Sequence, residues 1–218
     1  MFLWDERPKP TRGPKPALTL DQIADAAIAI ADAEGLAAVS MQRVATDLGY
    51  TKMSLYRYLP GKAEMVAAML ERGIGPAPDL SGQDWRAGLK AWATALMSRY
   101  FEHAWTIEAS TGDRPIGPSE LSWMEAALQV LPTGLTGAER LDTVATVAGH
   151  VRALAGQGGG ESQLTEAMGL VLREHAERFP AVAAALSDTA ASGGADQAFT
   201  FGLDRILDGL EVLLRRRV

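Results

Sequence analysis

The stretch "LGYTKMSLYRYLPGK", residues 48–62, sets Tyr50, Tyr56 and Tyr58 among Lys52, Arg57 and Lys62. An apolar helical pattern ends just before it, at Gly49, and Pro60-Gly61 stops it. Glycine suits the left-handed turn between two helices. Upstream, Ser40 caps a helix carrying Val44, Ala45 and Leu48 on one face, with Ala45 small where two helices must approach closely. Lys52–Leu59 then forms a short helix with Leu55 and Leu59 inward. Two helices joined by a glycine turn, the second short and polar outside, describe a helix-turn-helix. Its outward face offers Lys52, Met53, Tyr56 and Tyr58. Lysine and tyrosine bond phosphates and base edges, and methionine can touch a thymine methyl. A solvated helical hairpin with ordinary surface tyrosines is the bland alternative.

Working outward, "TLDQ" at Thr19 fits a capping box, Ile23, Ala26, Ala27 and Ile30 form a helical stripe, and Gly35 is a natural stop. Lys62 to about Arg72 makes a fourth helix, and "GIGPAPDLSG" marks a boundary. Beyond it the chain is helical by period. Trp85, Leu89, Trp92, Leu96 and Tyr100 form one stripe, and a shorter piece spans His103–Ser110. Further helices are expected on Leu121, Met124, Leu128 and Leu131; on Leu141, Val144, Ala148 and Val151 after the capping box "TGAE" at Thr136; and over Leu164–Phe179. The last carries Phe199, Leu203, Ile206, Leu210 and Leu213, after a flexible "SDTAASGGAD". The expected fold is all-α. Residues 1–18, with "ERPKPTRGPKPA", form a basic flexible arm; 19–66 form a helix-turn-helix domain; 67–218 form a larger helical domain for ligand binding and dimerisation.

The chain has 218 residues, 47% hydrophobic and 22% charged, which is ordinary for a globular protein. It has no cysteine, and His103, His150 and His175 are too scattered for a metal site, so no metal and no cofactor is expected. No GxSxG, HExxH or phosphate-cradling loop is present, and "GQGGGE" at Gly156–Glu161 reads as a loop, so no catalytic residue is assigned and no enzyme is expected. No apolar run reaches transmembrane length, and Asp5 and Glu6 interrupt any signal-peptide pattern; no membrane contact and a cytoplasmic location are expected. The net charge is −6, yet residues 39–62 hold four bases against one acid. A local basic face on an acidic protein can dock on phosphates.

With these motifs in place, residues 19–66 resemble the DNA-binding domain of the TetR family of bacterial transcriptional regulators. The matching stretches are "ADAEG", "VSMQRVATDLG" and "TKMSLYRYLPGKAEMV". The resemblance implies that Tyr56 and Lys62 bind phosphates. It also implies that Lys52, Met53, Ser54 and Tyr58 lie against the major groove with Gln42 nearby; Arg43 and Thr51 complete the candidate set. Lys62 opens a helix, where backbone amides also favour an anion. "HAW" at 103–105, "RPIGP" at 114–118, "FPAVAA" at 179–184 and "FTFGLDRILDGLEVLL" at 199–214 resemble the C-terminal domain of the tetracycline-repressor branch. Such domains bind a small ligand and dimerise through two C-terminal helices. Double-stranded operator DNA, a small organic ligand and a second copy of the chain are therefore the expected partners. Gly202 and Gly209, seven apart beside Ile206 and Leu213, would admit the partner's helix; alternatively both meet a helix of their own chain.

Four tryptophans crowd the middle of the second domain. Trp92, Leu96, Met97, Tyr100, Trp105, Trp123, Met124 and His150 are the candidate walls of one cavity, with Tyr100, His150 and the indole nitrogens as its polar contacts. The alternative is that the aromatics are plain core. "RGIGPAPD", residues 72–79, has no histidine and Ser110 stands in the expected sixth helix, so an apolar or aromatic organic ligand fits better than a tetracycline–magnesium chelate. The expected function is a ligand-responsive repressor released from a palindromic operator. The rival is a helical small-molecule binding protein with a vestigial DNA-binding head.

Overall fold

In the computed structural model, residues 3–4, 18–158, 160–191 and 197–217 are described, with backbone alone for 160–165. Every regular element among them is helical. Most of the expected arm lies outside the described residues. Leu18 does not belong to a free arm: it is buried in the head core, because the helix that follows needs an apolar residue just before its cap.

The head begins with α1, Leu20–Glu34. Thr19 caps it, accepting from the backbone N–H of Gln22, while Gln22 returns a bond to the cap; Gly35 ends it. A single 3-10 turn, Leu36–Ala38, leads to α2, Met41–Asp47, capped by Ser40. Gly49 has φ 73°, a conformation that costs other residues a Cβ clash, and turns the chain into α3, Lys52–Tyr56, capped by Thr51. The helix α4, Lys62–Ile74, closes the head. Ile23, Val39, Val44, Leu55, Leu59, Met65 and Met69 are among its fully buried residues. The expected division at 66/67 falls inside α4, which runs on continuously into the second domain.

The body comprises α5 (Trp85–Glu102), α6 (Trp105–Ala109), α7 (Pro118–Val130), α8 (Gly137–Gln157), α9 (Gly160–His175), α10 (Pro180–Ala191) and α11 (Ala198–Arg215). A second core joins α5, α7, α8 and α11 around Leu89, Trp92, Leu96, Ala127, Val147, Val151, Leu203 and Leu207. The helices α9 and α10 pack mainly on each other.

Two helices are rotated from the expected phase. On α7 the buried residues are Trp123 and Ala127, while Leu121 and Met124 are exposed. The indole of Trp123 goes with that rotation: it packs on Trp92 of α5 and donates its Nε1 proton to the Gly75 carbonyl at the end of α4. On α8 the buried line is Val144, Val147, Val151 and Ala155, and Leu141 is exposed. Pro180 does not end helical structure but starts α10, which takes in residues 187–191 of the expected flexible stretch; proline is well placed in a first turn, where its missing N–H would have no partner.

Candidate DNA-reading face and ligand cavity

The reading face is built from two short helices whose caps are all supplied locally. Thr51 Oγ1 accepts from Ser54 N at 3.3 Å and bonds Ser54 Oγ at 3.0 Å, so α3 starts rigidly in spite of its length. With Leu55 and Leu59 fully buried, α3 must turn Lys52, Met53 and Tyr56 outward. Met53 is a large apolar side chain, 71% exposed. Lys52 Nζ stands 5.5 Å from the Tyr56 ring centroid, a cation–π contact that pre-positions both groups on one face. Lys62 begins α4 beside them, exposed, its ammonium 3.5 Å from the carbonyl of Leu36. Gln42 is exposed on α2 and bonds Thr46 Oγ1 at 3.4 Å.

Two members of the candidate set differ from this pattern. Tyr58, which follows α3, is half-buried against the head core instead of projecting. Arg43 is held by Glu34 at 2.9 Å and by Asp47 at 3.4 Å, and these carboxylates raise its pKa. Its charge is thereby offset within the head.

The cavity, about 150 Å³, lies where α4, α5, α7 and α8 meet. Trp92, Leu96, Tyr100, Trp123 and Met124 line it, as expected from the sequence. Met97, Trp105 and His150 do not. Met97 packs into the body core. Trp105 lies in the head core, its Nε1 donating to Asp32 of α1 at 2.8 Å. His150 faces α11: its Nε2 is 3.0 Å from the carbonyl of Phe199 and its ring stacks on Phe199. Gly202 lies directly under that ring, and a Cβ there would overlap the imidazole. Gly202 therefore meets a helix of its own chain. Only Gly209 opens outward, with nothing within 4 Å of a Cβ built on it.

The indole nitrogens are not free for a ligand either. Trp92 Nε1 donates to the Trp123 carbonyl at 2.9 Å, and Trp123 Nε1 donates to the Gly75 carbonyl at 3.1 Å. The two rings meet edge to face, centroids 6.1 Å apart. They offer π-surface and no donor. The sequence reading missed Leu70 and Ile74 of α4, Arg99 of α5, Thr106, Ser110, Glu120 of α7, and Val144, Ala148 and Arg152 of α8. Two helices met in space only after folding, and no periodicity announces that. The positions of Arg152, Ala148 and Val144 at i, i−4 and i−8 were the available signal.

Head and body are joined by side-chain hydrogen bonds. His103 Nδ1 lies 2.8 Å from Asp32 Oδ1, the same oxygen that accepts from Trp105. Within the head, Arg72 of α4 holds Asp25 of α1 at 2.6 Å. The carboxylate of Glu71 caps α7 through Ser119.

This architecture matches known proteins along its whole length. Residues 18–69 match the family model described as bacterial regulatory proteins, tetR family, and residues 77–214 match the tetracyclin repressor-like C-terminal domain. The chain belongs to the TetR family. It is a ligand-responsive, DNA-binding transcriptional regulator. It is 39% identical over 233 residues to the HTH-type transcriptional repressor DrrR1 of Streptomyces coeruleorubidus, covering 99% of this chain and 86% of that one. The TetR-family protein ActR of Streptomyces coelicolor, solved in complex with (S)-DNPA, is 26% identical with a TM-score of 0.73, covering 90% of this chain and 98% of that one. ActR in complex with actinorhodin superposes with a TM-score of 0.74 at 24% identity, over 90% and 97% of the two chains, a likeness of fold. Among the described residues no helix is long and apolar enough to cross a membrane, and no group of His, Asp or Glu side chains is placed to hold a metal. Within a TetR-family frame, the helix shared by both sites is α4: Lys62 opens it at the reading face, and Leu70 and Ile74 wall the cavity.

Proposed function

We propose that this chain is a cytoplasmic repressor that binds double-stranded operator DNA as a homodimer and leaves it when a small organic molecule enters the cavity between α4 and α7. The observation that carries this reading is the double duty of α4. A ligand that parts Trp123 and Met124 from Leu70 and Ile74 displaces the same rod that packs along α1 and carries Lys62 at its other end. In a two-fold dimer the half-sites lie roughly 34–36 Å apart, one helical turn of DNA. A ligand need only prefer the conformation with wrongly spaced heads; DNA and ligand then weaken each other equally by linkage. That ActR is solved with actinorhodin and that DrrR1 is named a repressor support the same assignment here.

The reading residues are Lys52, Met53, Ser54 and Tyr56 on α3, with Thr51, Gln42 and Lys62 at its edges. Lys62 and Tyr56 bond phosphates, and Met53 touches a base methyl. Dimerisation uses the open sides of α8 and α11, where Leu141, Phe201 and Val212 are exposed and Gly149 and Gly209 leave room for a neighbouring helix. The rival reading, a vestigial head, is disfavoured by the exposed Met53 and by Lys52 and Lys62, which make no ion pair among the described residues.

The test is DNA affinity on a duplex selected by the wild-type protein from a random pool. Lys62→Ala should weaken binding and lower the salt slope by roughly one. Tyr56→Phe should weaken it without altering folding. Arg43→Ala should change affinity little. A wild-type protein that selects no sequence, or binds with no salt dependence, points to the vestigial head.

A further inference from the structure

The charges around the cavity do not balance. Glu120 is the carboxylate in its wall, and it is already used: Arg114 clamps it through two bonds of 2.5 and 2.6 Å. Arg99 is paired with Glu102 at 2.8 Å. Arg152 is not matched. Its Nε is buried and has no hydrogen-bond partner among the described residues. The residues one and two turns before it on α8, Ala148 and Val144, bring no acceptor to the same wall. A guanidinium cannot shed its proton, so Arg152, half-buried in the wall, stays charged while its Nε–H has no acceptor among the described residues.

The other donors in the wall are occupied. The Thr106 hydroxyl donates to the His103 carbonyl at 2.6 Å, and the Ser110 hydroxyl to the Ile107 carbonyl at 2.9 Å. Both indole N–H groups bond backbone carbonyls. An incoming molecule therefore meets aromatic and aliphatic surface from Trp92, Trp123 and Leu96 and, on α8, the side chain of Arg152, whose Nε–H has no acceptor among the described residues.

We propose that the effector is a planar aromatic molecule bearing an ionised oxygen, a carboxylate or an acidic phenolate, which seats on Arg152 while the rings lie along Trp92 and Trp123. This rests on the cavity being the effector site. Arg152 is then the residue that selects among aromatic molecules: a neutral analogue of the same shape fills the same space but leaves the guanidinium unanswered. Charge-assisted bonds of this kind are about twice as strong as neutral ones, so the preference should be on the order of ten- to a hundredfold.

Isothermal titration of the full-length protein with 2-naphthoate, 2-naphthamide and 2-methylnaphthalene decides it. The expected result is that naphthoate binds at least about tenfold tighter than the other two. Arg152→Met should bring naphthoate down to the amide's affinity and leave the amide unchanged, and Arg152→Lys should keep part of the preference. Equal binding of naphthoate and naphthamide to the wild-type protein overturns the proposal and leaves the cavity as the effector site. A loss of both probes together in Arg152→Met, with Arg152→Lys behaving as wild type, also overturns it. Binding of none of the three probes removes the cavity reading and the proposal with it. The comparison within the wild-type protein needs no variant to fold.

Discussion

The carboxylate of Glu71 caps a helix in the other domain. Both its oxygens lie 3.0 Å from the backbone N–H of Ser119, and one accepts from the Ser119 hydroxyl as well. The N-cap of α7, Gly117, has no side chain to do this, and a Cβ there would overlap the Glu71 carboxylate. A helix of the DNA-binding head thus completes the first turn of a helix that walls the cavity. The cap also ties α4 to α7 at the point where a ligand would force them apart.

Glu71→Ala should therefore cost about 0.5–2 kcal/mol of stability, the usual range for losing an N-cap. Amide exchange at Ser119 should speed up with it. Ser119→Ala keeps the amide bond and loses only the hydroxyl one, so it should fall between the variant and the wild type. Thermal melting and hydrogen exchange check both; a Glu71→Ala protein that melts like wild type would show that the cap contributes nothing.

The two glycines of α11 should separate in their effects. Gly202→Ala must push His150 off its stack with Phe199, so a loss of about 1–3 kcal/mol is expected, as for other overpacked sites, with assembly unchanged in the folded fraction. Gly209→Trp meets open space within the protomer and should leave its stability nearly as it was. It should instead weaken the dimer. Melting curves and sedimentation at several concentrations distinguish the two. A full-strength dimer with Gly209→Trp would place the interface elsewhere.

The head was almost wholly legible in the sequence and the cavity was only half so, for a physical reason. Caps and turns are local: Thr19 with Gln22, Ser40, Gly49 and Thr136 with Glu139 each act within four residues, and each stands where the sequence put it. Helix phase is less local. Leu121, Met124 and Leu141 fit an apolar period as well as Trp123 and Val147 do, and only the shape of the neighbouring helix selects one face over another. The role of Trp105 was beyond reach from spacing, because it joins the head core across the domain boundary through Asp32. His150 was assigned to the cavity as a polar residue near tryptophans, yet α8 turns it to α11.

Stability should depend on one surface carboxylate at low pH. Glu139 accepts from Arg217 at 2.5 and 2.8 Å and from the Thr136 backbone at 2.8 Å, which together lower its pKa to about 2. A carboxyl depressed in the folded state stabilises above its unfolded pKa and loses that contribution as pH falls through the folded value. Glu139→Gln should thus melt below wild type at pH 7, and the gap should narrow steadily between about pH 4.5 and 2. The pair pins the end of α11 to the start of α8, so Arg217→Ala should show the same pH dependence. A gap that stays constant over that range would mean the carboxylate is not perturbed.

Two neighbouring side chains of α7 should differ in whether they report on ligand without disturbing the fold. Trp123 is only 3% exposed, lines the cavity, packs edge to face on Trp92 and holds Gly75 at the end of α4. It is core and cavity wall at once. Trp123→Ala should then cost about 3–5 kcal/mol and disturb α4 as well, so any change in DNA release would be confounded with unfolding. Met124, its neighbour, lines the same cavity but is 41% exposed and sits off the buried face of α7. Met124→Ala should enlarge the cavity while lowering stability by less than about 1 kcal/mol, as for substitutions at partly exposed sites. Its DNA affinity without ligand should match wild type within about threefold, while its affinity for 2-naphthoate changes. A melting curve, a DNA titration and a calorimetric titration on the two variants test this together. If Met124→Ala binds the probe as wild type does, Met124 does not touch the ligand, and the Trp92 and Trp123 rings carry the contact without it.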